Sequence, residues 1–486
     1  MTSTTPIPAV SDLNGADPID TARVKADFPL LMNTKAGAGH ERLITYLDSA
    51  ATAQKPQVVI DAVSSYYETT NANVARGVYE LAEASTNAME AARRKVAKFI
   101  KAPSANEVVF TKNATESLNL VARSWGGANL GPGDAVVLTQ MEHHANIVPW
   151  QILQAEKGFE IRWINVDETG QLDLSDLDRL LDGAKIVGLS AMSNVLGTLT
   201  PVRRITDAAH AAGALVTVDA CQYVPHLPTD VVEMGADFVS FSAHKMVGPT
   251  GIGVLWGRTD LLDAMPPFLG GGGMIENVTQ DGFKAADLPH KFEAGTPPIA
   301  EAVGLGAAVD YLSALGMDAV REHEVRLTSY ALRTLATRFG DKLDIHGPKE
   351  PALRGGVFSL ELAGVHPHDL SQVLDEHGVC VRAGHHCAKP LMKVLGVGAT
   401  ARASVYIYND EADVDALADS LEAAESFFAF CFPLSTKPVP VRRSPHGRSR
   451  RSVPRDHHRS LPFAPEPRRT RHTTRHPHRG IQPAVR

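Results

Sequence analysis

Between residues 107 and 256 short β-branched, apolar runs alternate with helix-length stretches, and that alternation restricts the fold more than any other feature. The runs are 107–111 (EVVFT), 135–139 (AVVLT), 161–166, 185–191 (KIVGLSA), 214–218 (ALVTV), 237–242 and 253–256, with a helix expected over 201–212. Strands separated by helices of this length imply an α/β fold with a largely parallel sheet and helices on both faces. Ligands of such sheets sit at the carboxyl ends of the strands. Thr115, His143, Asn194, Asp219, Gln222 and Lys245 all fall at or just beyond those ends, and their shared placement weighs more than any one of them.

The sharpest of these ends is 237–253, DFVSFSAHKMVGPTGIG. A lysine closing a buried strand is driven toward the neutral amine, which can attack an aldehyde. Pyridoxal phosphate is the commonest aldehyde held this way, which makes Lys245 a candidate Schiff-base lysine; the alternative is a surface lysine after an ordinary strand. That cofactor needs its ring nitrogen protonated, and Asp219 is the best placed carboxylate, unless it only caps a turn. His143 can lie flat on the ring, and Gln222 can donate to the ring oxygen. Thr115, Ser242 and His244 can hold the phosphate, with simple helix capping as the alternative for Thr115. The His143–His144 pair has no third ligand at a suitable spacing, so no metal site is expected. The glycines of 269–274 lack the strand and helix that flank a nucleotide loop.

Cys387 lies in the loop RAGHHCAKP (382–390), with Arg382, His385, His386 and Lys389 close in sequence. Cationic neighbours favour a thiolate, and a loop with glycine, two histidines and lysine is poor text for a buried core, so Cys387 reads as reactive. Cys221, Cys380 and Cys431 read as structural. Arg402, placed before an apolar strand expected at 403–408, can clamp a substrate carboxylate together with Asn194, or else form a surface ion pair.

At 486 residues two domains are the natural expectation. A mobile leader (1–22) precedes an N-terminal segment (23–44) packing with the small domain, a large domain (45–315), a small domain (316–430) and a tail (431–486). The small domain has strands expected at 357–362 and 379–382, with a helix over 369–377 between them and a closing helix over 411–428. Four cysteines in no metal-ligand spacing, and no basic segment followed by an apolar one at the N-terminus, point to a reducing cytoplasm; no run is apolar enough to cross a bilayer. Residues 436–486 hold one Lys and thirteen Arg against Asp456 and Glu466, net +12, which sets the remainder at -19 against the whole chain's -7. An acidic body argues against nucleic acid as the main ligand. Residues 436–486, with Phe463 their only Phe, Tyr or Trp, are expected to be disordered and dispensable, and a nucleic-acid binder acting through them is the weaker alternative.

Taken together, YLDSAATAQKP (46–56), QMEHHANIVPWQ (140–151), SNVLGT (193–198), SAHKMVGPTGIG (242–253), FEAGTP (292–297) and RAGHHCAKPLM (382–392) resemble the SufS-like, group II cysteine desulfurases of the class V aminotransferase family. The resemblance implies the type I fold of pyridoxal-phosphate enzymes, with a mostly parallel seven-stranded sheet and a smaller α+β domain. It implies Lys245 as the cofactor lysine, Asp219, His143 and Gln222 around the ring, and Thr115, Ser242 and His244 on the phosphate. Thr296 would reach the phosphate of a neighbouring subunit, and hence a homodimer is implied. Asn194, Arg402 and Arg382 would bind substrate, and Cys387 would take sulfur from L-cysteine, leaving alanine, and pass it to a SufE-like or SufU-like acceptor for iron–sulfur cluster assembly. Selenocysteine lyase, or another β-lyase of the same fold, is the alternative, and a non-catalytic persulfide carrier comes from another class. Two departures stand out: Ala75, where the family usually has His before Arg76, and Cys221, a thiol where the family has alanine.

Overall fold

The computed structural model describes residues 17–32, 44–74 and 77–431. The expectations for residues 1–16, for Ala75 and Arg76, and for the tail beyond Cys431 lie outside the described residues. In chain order the strands are β1 (Thr45–Tyr46), β2 (Val108–Thr111), β3 (Ala135–Thr139), β4 (Glu160–Ile164), β5 (Ala184–Ser190), β6 (Leu215–Asp219), β7 (Phe238–Ser242) and β8 (Gly253–Gly257). They continue with β9 (Ile275–Val278), β10 (Phe283–Ala285), β11 (Leu343–His346), β12 (Val357–Leu362), β13 (Val379–Cys380), β14 (Arg382–Gly384) and β15 (Thr400–Ser404).

The large sheet has seven strands in the order β2-β8-β7-β6-β5-β3-β4. Strands β3 to β7 run parallel, and β8 is antiparallel to both its neighbours. Strands β2, β3, β7 and β8 are buried at every residue, because helices cover both faces, and so they read as unbroken apolar runs. Strand β4 lies on one side of β3 and β5 on the other, so the chain reverses direction across the sheet there. A crevice opens at such a switch point, between the loops that follow β3 and β5.

Helix Ile299–Leu315 is apolar all round because it packs between helices Gln57–Thr69 and Glu80–Phe99. A Cβ on Gly304 would lie 2.7 Å from Val63, so only glycine permits that approach. Among the described residues no single helix is long and apolar enough to cross a membrane.

The smaller sheet is antiparallel, β11-β12-β15-β14, and it packs with helices Met317–Phe339, Pro367–Glu376 and Glu411–Cys431. Strand β1 pairs in parallel with β13, and Asp48 forms a bridge with Ser404, so the first residues assigned to the large domain pair with strands of the small one. The N-terminal segment touches both sides: Val24 and Phe28 join the large core, while Lys25 bonds Asp413. The packed chain also begins before residue 23, since Ile19 is buried and Asp17 meets His323 at 2.7 Å.

The strand expected at 403–408 is displaced to Thr400–Ser404, placing Arg402 inside it. Tyr406 and Tyr408 are buried by packing and by hydroxyl bonds to Pro225 and Ser49, and an apolar run alone does not separate that burial from strand pairing. The single strand expected at 379–382 is divided into β13 and β14, and β9, β10 and β11 were not anticipated.

Arg93 ties the edge of the large sheet to the turn before Thr296. Its guanidinium donates to both carboxylate oxygens of Glu293 (2.6 and 2.9 Å) and to the Val108 carbonyl (2.8 Å), while Glu293 accepts the Phe110 N–H at 2.7 Å. Both side chains are almost fully buried, and Arg93 also donates to both carboxylate oxygens of Glu90 (3.0 Å each), so removing Arg93 strands the Glu293 charge whereas removing Glu293 leaves the guanidinium a second carboxylate. Arg93→Met is expected to lower stability by about 3–5 kcal/mol in urea unfolding, and Arg93→Met combined with Glu293→Leu by clearly less. Equal losses in the single and double variants would contradict this account.

Candidate active site

Every residue singled out for chemistry except Thr296 lines one cavity at the carboxyl ends of the large sheet. Thr296 is exposed on the turn before helix Ile299–Leu315.

Lys245 ends a short 3₁₀ turn that follows β7 and projects into this cavity. The strand before it is fully buried, but the lysine is only half-buried, because it stands one turn past the strand end. The peptide preceding it is firmly held: the His244 carbonyl accepts from Ala53 N–H (2.9 Å), Thr52 Oγ1 (3.1 Å) and Lys55 Nζ (3.1 Å). Burial pulls the Lys55 pKa down to about 8. Thr52 and Lys55 went unnoticed in the sequence, although both lie in the motif YLDSAATAQKP.

Asp219 ends β6, is buried, and accepts the Cys221 N–H at 3.0 Å. Gln222 donates to the Ala50 carbonyl at 2.7 Å, which leaves its second amide hydrogen available and its Oε1 buried without a partner. The Nδ1 of His143 accepts Ala145 N–H at 3.1 Å, so the proton of the neutral ring is on Nε2. Ser242 Oγ accepts Ala114 N–H at 2.8 Å and lies beside Thr115 in the cavity wall. The helix there is capped by Asn113, not Thr115.

The buried Glu142 anchors the His143 loop and was also missed. Its carboxylate accepts from Thr139 Oγ1 (2.6 Å), Asn146 Nδ2 (2.7 Å), Ser190 N–H (2.9 Å) and Ser190 Oγ (2.8 Å). These bonds tie the loop after β3 to the end of β5, and burial outweighs them to raise the carboxyl pKa to about 7.

Opposite Lys245 stand the residues of the smaller sheet. Arg382 and Arg402 are cross-strand partners on β14 and β15. Arg402 is 2% exposed; its Nη1 donates to the Asn194 carbonyl (3.0 Å), its Nη2 to Asp48 Oδ1 (3.1 Å), and its Nε has no partner. Like charges directly opposite each other in a sheet repel, and Asp48 offsets only one of the two. The arrangement therefore favours a further anion. The Asn194 side chain, expected to face substrate, instead donates to the His386 carbonyl at 2.7 Å and keeps one N–H free.

Cys387 is exposed at the cavity, whereas Cys221 is buried with its thiol pKa raised by desolvation. Burial separates the reactive candidate from the inert one. His386 is buried, contrary to the expectation for this loop, because its Nε2 reaches the Thr400 hydroxyl (2.9 Å) and carbonyl (3.1 Å).

The family model for aminotransferase class-V matches residues 45–417. A probable cysteine desulfurase of Streptomyces coelicolor is 52% identical over 415 residues, covering 84% of this chain and 98% of that one. A cysteine desulfurase of Haloferax volcanii is 49% identical over 422 residues, covering 85% and 98%. Among solved structures, the chain is similar to the S-sulfonic acid form of the cysteine desulfurase CsdA from Escherichia coli, with a TM-score of 0.76, 36% identity and coverage of 84% of this chain and 99% of that one. It is also similar to the apo cysteine desulfurase of Thermococcus onnurineus NA1, with a TM-score of 0.78, 38% identity and coverage of 84% and 98%.

Three histidines of the cavity are held neutral, chiefly by burial: the pKa of His143 falls to about 4, that of His244 to about 4 and that of His386 to about 3. The charge of Lys245 adds to the shift for the first two and that of Arg402 for the third. The unfolded chain takes up these protons near pH 6.5, the folded chain only at the lower values, so their contribution is full above that pH and is lost as pH falls toward about 4. Denaturation midpoints are expected to drop across this window, with a shallower slope in His386→Gln; an identical slope in the variant would contradict the assignment.

Proposed function

The chain belongs to the class V aminotransferase family, and from that premise we propose that it is a pyridoxal-phosphate-dependent cysteine desulfurase acting on L-cysteine. The observation that carries this reading is that Lys245, Cys387 and the incompletely neutralised Arg402 line the same cavity. The residues present fit the cofactor: an amine, a buried carboxylate, a neutral imidazole, an amide with a spare hydrogen, and Thr115, Ser242 and His244 grouped for a phosphate. Lys245 would hold the aldehyde carbon, Asp219 the ring nitrogen, His143 the ring face and Gln222 the ring oxygen. When bound, pyridoxal phosphate supplies the electron sink that lets the α-carbon of an amino acid lose its proton.

The remaining steps belong to side chains. Arg402, with Asn194 and Arg382 beside it, orients the substrate carboxylate. Lys245, as a free amine lining the cavity, would carry the α-proton. The Cys387 thiolate attacks the substrate sulfur; an S–S bond forms, the C–S bond breaks, and its electron pair stays with the carbon skeleton. Protonation of that skeleton gives L-alanine, and the protein keeps the sulfur as a persulfide on Cys387. The exposure of Cys387 suits onward transfer to an acceptor protein for iron–sulfur cluster assembly, of the SufE-like or SufU-like kind. Exposed Val78, Tyr79 and Leu81 at the start of helix Glu80–Phe99, and Val278 and Phe283 on the β9–β10 hairpin, support a homodimer to which Thr296 contributes across the interface. The free thiols Cys221, Cys380 and Cys387 suit a reducing compartment, and we assign the reaction to the cytoplasm.

Purified protein supplied with pyridoxal phosphate and L-cysteine is expected to release alanine. Cys387→Ser should reduce that release by ~100-fold or more, while Arg402→Lys should raise KM for L-cysteine by about 10–100-fold, the worth of a charged hydrogen bond. Sulfur release surviving intact in Cys387→Ser would overturn the nucleophile assignment. Loss with L-cysteine but retention with L-selenocysteine would favour a selenocysteine lyase instead.

A further inference from the structure

His144, the second histidine of the pair, has no place in the chemistry above and does not line the cavity. Its bonds run instead to the loop that carries the nucleophile. The backbone N–H of His144 donates to the Cys387 carbonyl at 2.7 Å, and its ring Nε2 accepts the Lys389 N–H at 2.9 Å. Beside these, Asn194 donates to the His386 carbonyl at 2.7 Å. His386 and Cys387 are both left-handed, at φ 50° and 55°, a conformation that non-glycine residues keep only where their surroundings impose it. The carbonyls of these two strained residues are the ones that Asn194 and His144 hold.

We propose that His144 is a positioning residue for Cys387, clamping its loop onto the cofactor-side loop through two hydrogen bonds, one of which exists only while the imidazole is neutral. Nε2 accepts only when unprotonated; a proton there would face the Lys389 N–H, donor against donor. The charged and titratable groups facing the ring are His385 and Lys389 on the clamped loop and His143 on its own turn. With partial burial, His385 and Lys389 lower the His144 pKa and keep the acceptor available at neutral pH. Nucleophilic attack depends steeply on placement, so releasing the clamp should slow sulfur transfer without weakening substrate binding at Arg402. This rests on the reading of Cys387 as the nucleophile.

The test compares His144→Leu, which has no acceptor, with His144→Gln, whose Oε1 replaces Nε2, in the full-length chain. Hydrogen exchange is followed in the peptide spanning residues 382–389, and kcat and KM are measured for alanine formation with pyridoxal phosphate and L-cysteine. His144→Leu is expected to exchange about tenfold faster in this loop and to lose about tenfold in kcat, with KM within about twofold. His144→Gln should recover both to within about threefold. Corrected for intrinsic rates, loop exchange in the unmodified protein should accelerate as pH falls through the His144 titration, and His144→Gln should abolish that rise. This comparison remains decisive should the leucine variant not fold. Unchanged loop exchange in His144→Leu, equal losses in both variants, or an acid-side rise retained in His144→Gln would overturn the clamp. A loosened loop with unchanged kcat would overturn its catalytic role, and an active Cys387→Ser enzyme would then trace that failure to the nucleophile reading.

Discussion

The carbonyl of His244, the last atom group before Lys245, is held by three donors from residues 52–55. That contact matters because the same short segment begins on the other side of the cleft. Tyr46 pairs with Cys380, Asp48 meets both Ser404 and Arg402, and Ser49 and Gln54 bond the Tyr408 hydroxyl. Ten residues of chain therefore fix the position of the amine relative to the guanidinium. A substrate whose amino group must reach one while its carboxylate reaches the other requires such a fixed separation.

Charge is arranged on the same principle. The imidazoles of His143, His244 and His386 are kept neutral, so the positive charge lining the cavity is left to Lys245 on one side and to Arg402 and Arg382 on the other. Asp48 engages one edge of Arg402 and leaves Nε free. A guanidinium with every donor satisfied would gain little from a carboxylate, and one with no partner would be costly to bury. Cys221 is shielded by burial and has its thiol pKa raised, so of the two cysteines lining the cavity only Cys387 is exposed as a sulfur nucleophile.

Most of the architecture was legible because it follows from local pattern. Buried parallel strands give uninterrupted apolar runs, and the seven runs read between residues 107 and 256 correspond to β2 through β8. The six polar residues read at strand ends, Thr115, His143, Asn194, Asp219, Gln222 and Lys245, all line one cavity. What was missed depends on partners distant in sequence. Glu142 reaches Ser190, Thr52 and Lys55 reach His244, and the His144 ring reaches Lys389, contacts that no local pattern records. The strand at Thr400–Ser404 was misplaced for a related reason: the tyrosines after it are buried by packing, and burial alone does not reveal strand pairing.

The central claim is that one exposed thiol accepts the sulfur released at a lysine-bound cofactor. A single turnover with radiosulfur-labelled L-cysteine, followed by peptide mapping under non-reducing conditions, locates that sulfur directly. The label is expected on the peptide that contains Cys387 and to be released from it by a thiol reductant. Label on Cys221 or Cys380, or sulfur freed with none bound to the protein, would contradict the account.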